Sequence, residues 1–185
     1  LGRMVAAYTL ALLFALIYGY AAARNRRAER VLLPILDVLQ SVPVLSFLLA
    51  VVLGFMALFP YGNLGVELAA VVLIFTGQAW NLAFSFYHSL RTLPKELREV
   101  ANIFQFSRWQ QFKGLELPVA TIGLVWNSIL SWAGGWFFLM ACEMFTLGGR
   151  SFQRPGLGSY LKTAAGEGDV RALLYGLGTL VFLIV

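Results

Sequence analysis

Apolar runs long enough to cross a bilayer set the terms for this chain. Met4–Ala23 carries no charge, and about 20 such residues take an α-helix across the hydrocarbon core. Leu64–Tyr87 and Val119–Cys142 are of similar length, and Val170–Val185 begins a further run. Pro43–Phe59 is apolar as well, and Val31–Ser41 ahead of it is mostly apolar with Pro34 and Asp37 inside. That combined stretch is long enough to predict a bent or tilted entry into the membrane rather than one straight span. Pro60-Tyr61-Gly62-Asn63 is turn chemistry. The expectation is an all-α, polytopic transmembrane helix bundle of about five spans.

Composition agrees and excludes several functions. Of 185 residues, 59% are hydrophobic and 12% charged, where a soluble domain carries about a quarter charged. One cysteine, Cys142, and one histidine, His88, leave no disulfide and no Cys or His metal cluster. No nucleophile–base pair and no phosphate-binding loop is present, so the chain is expected to be no enzyme, with no catalytic residue, metal or cofactor of its own. The net charge of +5 is clustered rather than spread over a soluble face, which argues against nucleic acid. Leu1–Ala23 is followed by basic residues and not by a small-residue cleavage site, so it reads as a span and not a signal peptide. The chain starts without Met and stops within an apolar run. The reading is one transmembrane domain over 1–185, cut from a longer polypeptide, fused or single.

Charge placement orients the bundle. After the first run come Arg24, Arg26, Arg27 and Arg30 against Glu29. After the third come Arg91, Lys95, Arg98, Arg108 and Lys113 against Glu96, Glu99 and Glu116. The short Pro60–Gly65 connection on the other side is uncharged. Lys/Arg excess marks the cytoplasmic side, which puts Leu1 and the long Thr146–Asp169 connection outside.

The segment between the third and fourth runs reads as a polar helix-turn-helix. Thr92 is placed to cap a helix with Pro94 in its first turn. Leu93, Leu97, Val100, Ala101 and Phe104 then form one apolar stripe. Ser107 with Gln110 is a capping-box pair for a second helix. That helix holds Trp109 and Phe112 and is expected to end before Pro118, which opens the fourth span. Two short helices with apolar faces and charged rims suit a groove on a soluble partner, or equally the surface of their own bilayer.

The stretch Glu99-Val100-Ala101, then Gln105, then Leu115, Leu117 and Pro118 resembles the EAA loop of the permease subunits of bacterial binding-protein-dependent ABC importers. Glu99, Ala101, Leu117 and Pro118 match outright. Val100 stands for the first Ala, Leu115 for the Ile and Gln105 for the Gly. A Gly there allows close approach or an unusual dihedral that Gln supplies less easily. The departure reads as a tolerated variant, a longer first helix, or half of a fused or heterodimeric permease. Ser107-Arg108-Trp109-Gln110 looks like the nitrate/sulfonate/taurine importer version. Leu39-Gln40-Ser41-Val42-Pro43, Trp80-Asn81 and Gly156-Leu157-Gly158 are similar to the same version. The resemblance implies a translocating subunit of the bacterial inner membrane and the MetI-like fold. It implies ABC ATPase subunits, a second permease half and an extracytoplasmic substrate-binding protein as partners, with a small anion as cargo. Glu99, Val100, Ala101, Gln105, Ser107, Arg108, Trp109, Leu117 and Pro118 would receive the ATPase stroke.

Polar residues recur inside the spans. Gln78, Asn81, Ser85 and His88 lie along one stripe of the third run, and Asn127, Ser128 and Ser131 occupy the fourth near Gly134-Gly135. Such groups face a bundle interior or a water-filled path. Gln78, Asn81, Ser85, Asn127 and Ser131 either line a translocation path or hydrogen-bond helix to helix; His88 reads as interfacial. Glu143 matches a Glu that follows this span in related permeases. It would serve the outer gate or the binding-protein contact, or pair with Arg150 or Arg154. Trp126, Trp132 and Trp136 read as packing and interface anchors. A secondary transporter or channel would place ionisable groups deep in its spans. A membrane scaffold would not need the polar stripe.

Overall fold

The computed structural model describes residues 1–60, 64–143, 146–147, 150–151 and 155–184. The expected turn at 61–63 lies outside them. The chain is helical: α1 (Gly2–Arg24), α2 (Arg26–Ser41), α3 (Val44–Leu58), α4 (Leu64–Arg91), α5 (Lys95–Ile103), α6 (Arg108–Gln111), α7 (Leu117–Glu143), α8 (Leu157–Glu167) and α9 (Val170–Ile184). The one sheet among the described residues pairs Thr146–Leu147 with Arg150–Ser151, antiparallel. Among the described residues three helices are long and apolar enough to cross a membrane, Gly2–Arg24, Leu64–Arg91 and the joined Arg108–Glu143, and a fourth span arises if α2 and α3 are one broken span. The short apolar α9 corresponds to the last run.

The basic string after α1 is not the break that its charge suggests. Asn25 accepts a hydrogen bond from the Arg27 N–H at 2.8 Å, and α2 starts there and carries Pro34 inside it. An N-cap with Glu29 in the first turn offsets the basic cluster at the positive helix end. The result is an amphipathic helix. It ends where Ser41 Oγ donates to the Asp37 carbonyl at 2.6 Å and Val42 turns extended (φ −82, ψ 117), as a residue before proline is driven to do. The chain thus breaks where the Ser41-Val42-Pro43 signal lies.

The chain packs as two compact units. One comprises Leu1–Ala7, Val44–Gly77 and Trp132–Val185; the other comprises Tyr8–Pro43 and Gln78–Ser131. In the first, Leu48, Val52, Val66, Ala69, Ala70, Leu73 and Cys142 form one buried cluster, and Met4, Ala7, Ile74, Trp136 and Leu139 another. Its α8–α9 hairpin turns at Gly168, whose φ of +69 suits a residue without Cβ. Asp169 then caps α9 by accepting from the N–H groups of Arg171 and Ala172 at 2.9 and 3.0 Å. In the second unit Phe86, Leu90, Ala120 and Leu124 form the buried centre, flanked by Leu12, Leu16, Tyr20, Phe112 and Leu117. Gly19 permits close packing there, since a Cβ would stand 2.9 Å from the Phe86 ring. Outward faces of the spans, such as Leu10, Leu13 and Ile17 on α1 and Ile122, Val125 and Trp126 on α7, are exposed and apolar, as lipid contact requires.

Candidate functional site

The helix-turn-helix forms, with three differences from its sequence reading. Thr92 does not cap α5. Its hydroxyl donates to the His88 carbonyl at 2.9 Å and closes α4, while α5 starts at Lys95 without a side-chain cap, with Pro94 at its N-cap position and not in its first turn. α4 had already run through Arg91, so Thr92 sits one turn too early to reach the first N–H groups of α5. The apolar stripe also divides: Leu93 and Ala101 are buried, whereas Val100 is 46% and Phe104 69% exposed.

α5 stops at Ile103, so the first helix is not lengthened. The Phe106 N–H reaches back to the Ala101 carbonyl at 2.9 Å and the Gln105 N–H to the Asn102 carbonyl at 3.0 Å. Together these make a Schellman turn, which needs a left-handed residue at its centre. Gln105 occupies that place with φ +50, the only positive φ of a non-glycine residue among the described ones. The position that holds Gly in the EAA pattern is therefore the position where glycine is free and an L side chain strained, by about 1–2 kcal/mol. Gln105→Gly should raise the stability of the elbow by about 1 kcal/mol. Slower amide exchange at Phe106, whose N–H closes the turn, would register it, and unchanged or faster exchange would contradict it.

Ser107 caps α6 as its spacing indicates. Its Oγ accepts from the Gln110 N–H at 3.3 Å, and Gln110 Oε1 accepts from the Ser107 N–H at 2.8 Å. The third difference follows. α6 does not end before Pro118 but passes through one π-helical turn, Phe112–Glu116, straight into α7. Pro118 brings no N–H for a carbonyl four residues back. The π turn absorbs this by moving the ladder one residue, with the Leu117 N–H bonding to the Phe112 carbonyl. Arg108–Glu143 is thereby one helical rod. Glu116, buried in the π turn, is held by Arg24 at 3.1 Å.

Of the loop residues, Glu99, Val100, Gln105, Ser107, Arg108 and Trp109 are exposed. Ala101 is buried, Leu117 packs in the core of its unit and Pro118 is exposed. Ile103, Phe104, Phe106 and Trp109 make the tip apolar and open, Ile103 at 76%. Large apolar side chains held outward by two capping motifs mark an interaction surface rather than packing.

The polar residues of α4 and α7 meet one another. Gln78 Nε2 donates to the Ser131 carbonyl at 3.0 Å, Asn81 Nδ2 to Ser131 Oγ at 3.0 Å and Asn127 Nδ2 to Ser85 Oγ at 2.9 Å. Tyr8 on α1 donates to Ser128 at 2.7 Å. Gln78 is fully buried with no partner for its Oε1 among the described residues, whereas Asn81 and His88 are exposed. Trp126 is exposed; Trp132 and Trp136 pack edge to face at 6.4 Å.

Glu143 is buried and held from two sides. Arg3 Nη1 donates to its Oε1 at 3.2 Å and the Gly158 N–H to its Oε2 at 2.8 Å. Arg3 also makes a two-pronged bond to Glu67, at 2.5 and 2.6 Å. A Cβ at Gly156 would overlap the Glu143 carboxylate, and one at Gly158 would lie 2.8 Å from Met140 Cα. The Gly156-Leu157-Gly158 signal is thus the seat of this carboxylate. The expected pairing with Arg150 or Arg154 involves side chains outside the described residues. Arg3 escaped the sequence reading, although an arginine in the first turn of a span calls for a partner.

Residues 9–185 match the family described as "Binding-protein-dependent transport system inner membrane component". Two solved structures of the MetNI methionine ABC transporter, in inward-facing conformations, share the fold. One chain has a TM-score of 0.75 at 19% identity and the other 0.72 at 18%, each over 98% of this chain and 86% of that one. No curated protein sequence matches.

Proposed function

The chain belongs to the family of inner membrane components of binding-protein-dependent transport systems, and from that premise we propose that its exposed α5–α6 elbow receives the power stroke of a separate ABC ATPase at the cytoplasmic face. The observation that carries this is the union of an open apolar tip, Ile103, Phe104, Phe106 and Trp109, with a rod that runs unbroken from Arg108 to Glu143. Force on the tip has no joint at Pro118 in which to dissipate. Glu99 and Arg108 form the charged rim and exposed Val100 extends the apolar surface, while Ala101, Gln105, Ser107, Leu117 and Pro118 fix its geometry. As a transport component the chain is no enzyme, and ATP hydrolysis resides on the partner.

A second permease half completes the pathway, and an extracytoplasmic binding protein delivers the cargo. Gln78, Asn81, Ser85, Asn127 and Ser131 line the route; the exposure of Asn81 supports this, and the α4–α7 bonds keep the set in register. Glu143 acts at the outer gate by holding α8 on α7; buried as it is, it reaches a binding protein only through α8. A nitrate, sulfonate or taurine-like anion is the proposed cargo, on the strength of Ser107-Arg108-Trp109-Gln110, Leu39-Gln40-Ser41-Val42-Pro43, Trp80-Asn81 and Gly156-Leu157-Gly158.

The tagged full-length permease should co-purify with a nucleotide-binding subunit. In the same cells, Lys113→Cys should react with a membrane-impermeant thiol reagent only after the cytoplasm is opened. Labelling from outside would end the proposal.

A further inference from the structure

Two cavities meet at Arg108. One, of about 450 Å³, is lined by Arg24, Arg26, Arg91, Arg98, Arg108 and Glu116. The other, of about 620 Å³, is an apolar groove walled by Leu16, Ile17, Tyr20, Ala21, Trp109 and Phe112, with Arg108 at its edge. We propose that the pair seats one anionic phospholipid, its phosphate among the arginines and an acyl chain along the groove.

The charge balance asks for an anion. Glu116 is paired with Arg24 at 3.1 Å and Glu29 with Arg91 at 3.2 Å. Arg26, Arg98 and Arg108 have no carboxylate at ion-pair distance among the described residues. Arg98 donates one Nη to the Leu90 carbonyl at 2.6 Å, yet its buried Nε has no acceptor among the described residues. A phosphate accepts from such planar forks in pairs.

The groove makes the anion a lipid rather than free phosphate. Its wall is an aromatic ladder, with Tyr20 edge-on to Phe112 at 5.2 Å and Phe112 stacked on Trp109 at 5.8 Å. The Arg24 guanidinium stands 5.7 Å over the Tyr20 ring, so the two cavities share a wall as well as Arg108. The arginines lie where α1 ends and the groove runs beside its last turns, which is the order of headgroup and chain in a leaflet. Basic pockets at the cytoplasmic ends of spans take anionic headgroups in this way. The cytoplasmic leaflet is named on the orientation proposed above; the site itself is not.

The full-length permease with its ATPase, in lipid nanodiscs, supplies the test. Brominated-chain phosphatidylglycerol should quench the Trp109 fluorescence, taken as the difference from Trp109→Phe, at a much lower mole fraction than brominated phosphatidylcholine. Arg26→Gln and Arg98→Gln should each weaken that preference roughly five-fold, from the usual contribution of one basic residue near an anionic surface. Arg26 lies in the exposed first turn of α2, so its variant keeps the test open if Arg98→Gln fails to fold. Equal quenching by both lipids would overturn the proposal. So would thermal protection by inorganic phosphate alone that matches phosphatidylglycerol, which would mark a soluble-anion site. Quenching seen in the permease but lost in the assembled transporter would assign the groove to the ATPase. Lipid contact is read here and not transport, so loss of the quenching preference and failure of the co-purification or labelling are told apart as separate results.

Discussion

Two glycines inserted between Phe106 and Ser107 should cut ATP-driven uptake by roughly 5- to 150-fold, the span of ordinary coupling energies, while ATP hydrolysis and ATPase binding persist. The site is chosen because it spares both motifs that shape the elbow. The Schellman bonds from Phe106 and Gln105 lie before it, and the Ser107–Gln110 capping box lies after it. What the insertion removes is the fixed angle between α5 and α6, since a glycine pair adds freely rotating backbone. Displacement of the tip would then bend the linker instead of moving the rod from Arg108 to Glu143. Glu99→Lys tests the same surface by charge and should uncouple in the same sense. Uptake by the inserted variant in proteoliposomes at the unmodified rate would refute the lever.

Glu143→Ala should destabilise the unit that contains it by about 3 kcal/mol, at the lower end for breaking a buried ion pair. The lower end applies because Arg3 keeps its bonds to Glu67. A cavity of about 610 Å³, bounded by Arg3, Glu67 and Glu143, also lets water reach the freed guanidinium. The larger part of the loss comes from the Gly158 N–H, which is buried and bonded to Glu143; without the carboxylate it has no acceptor. Glu143→Gln keeps an oxygen for that N–H and should lose less than half as much. The ordering Glu, Gln, Ala in detergent unfolding midpoints checks the assignment. If Gln and Ala cost the same, the backbone bond is not what matters, and the latch between α7 and α8 must be abandoned.

Legibility in the sequence followed the range of the interaction. Spans were readable because apolar length is a local property. The capping box at Ser107 was readable because its partner is three residues away, and the bent entry over Val31–Phe59 because that run is too long for one straight span. The EAA pattern placed a glycine where the chain has Gln105, and the left-handed φ there gives that spacing its physical meaning. Sequence and structure part where two local signals compete. Arg24–Arg30 gathers charge between two apolar runs, yet Asn25 makes it a helix start. Pro118 looked like a helix end, but a π turn carried the helix through it. Thr92 bonds a carbonyl of α4 and not an N–H of α5.

Which residues would be long, apolar and helical, and where the charges would gather, the amino-acid order determined by itself. Both depend on neighbours a few positions away and on the solvent each segment can tolerate. Only tertiary structure decided that Arg3 bridges Glu67 and Glu143 across more than sixty positions of chain, that Ser131 is met by Gln78 and Asn81, and that five arginines from separate segments share one pocket. A buried charge or amide must be paired, but its own sequence does not say with what. The choice belongs to whichever helix the packing of small and apolar faces brings within hydrogen-bond reach.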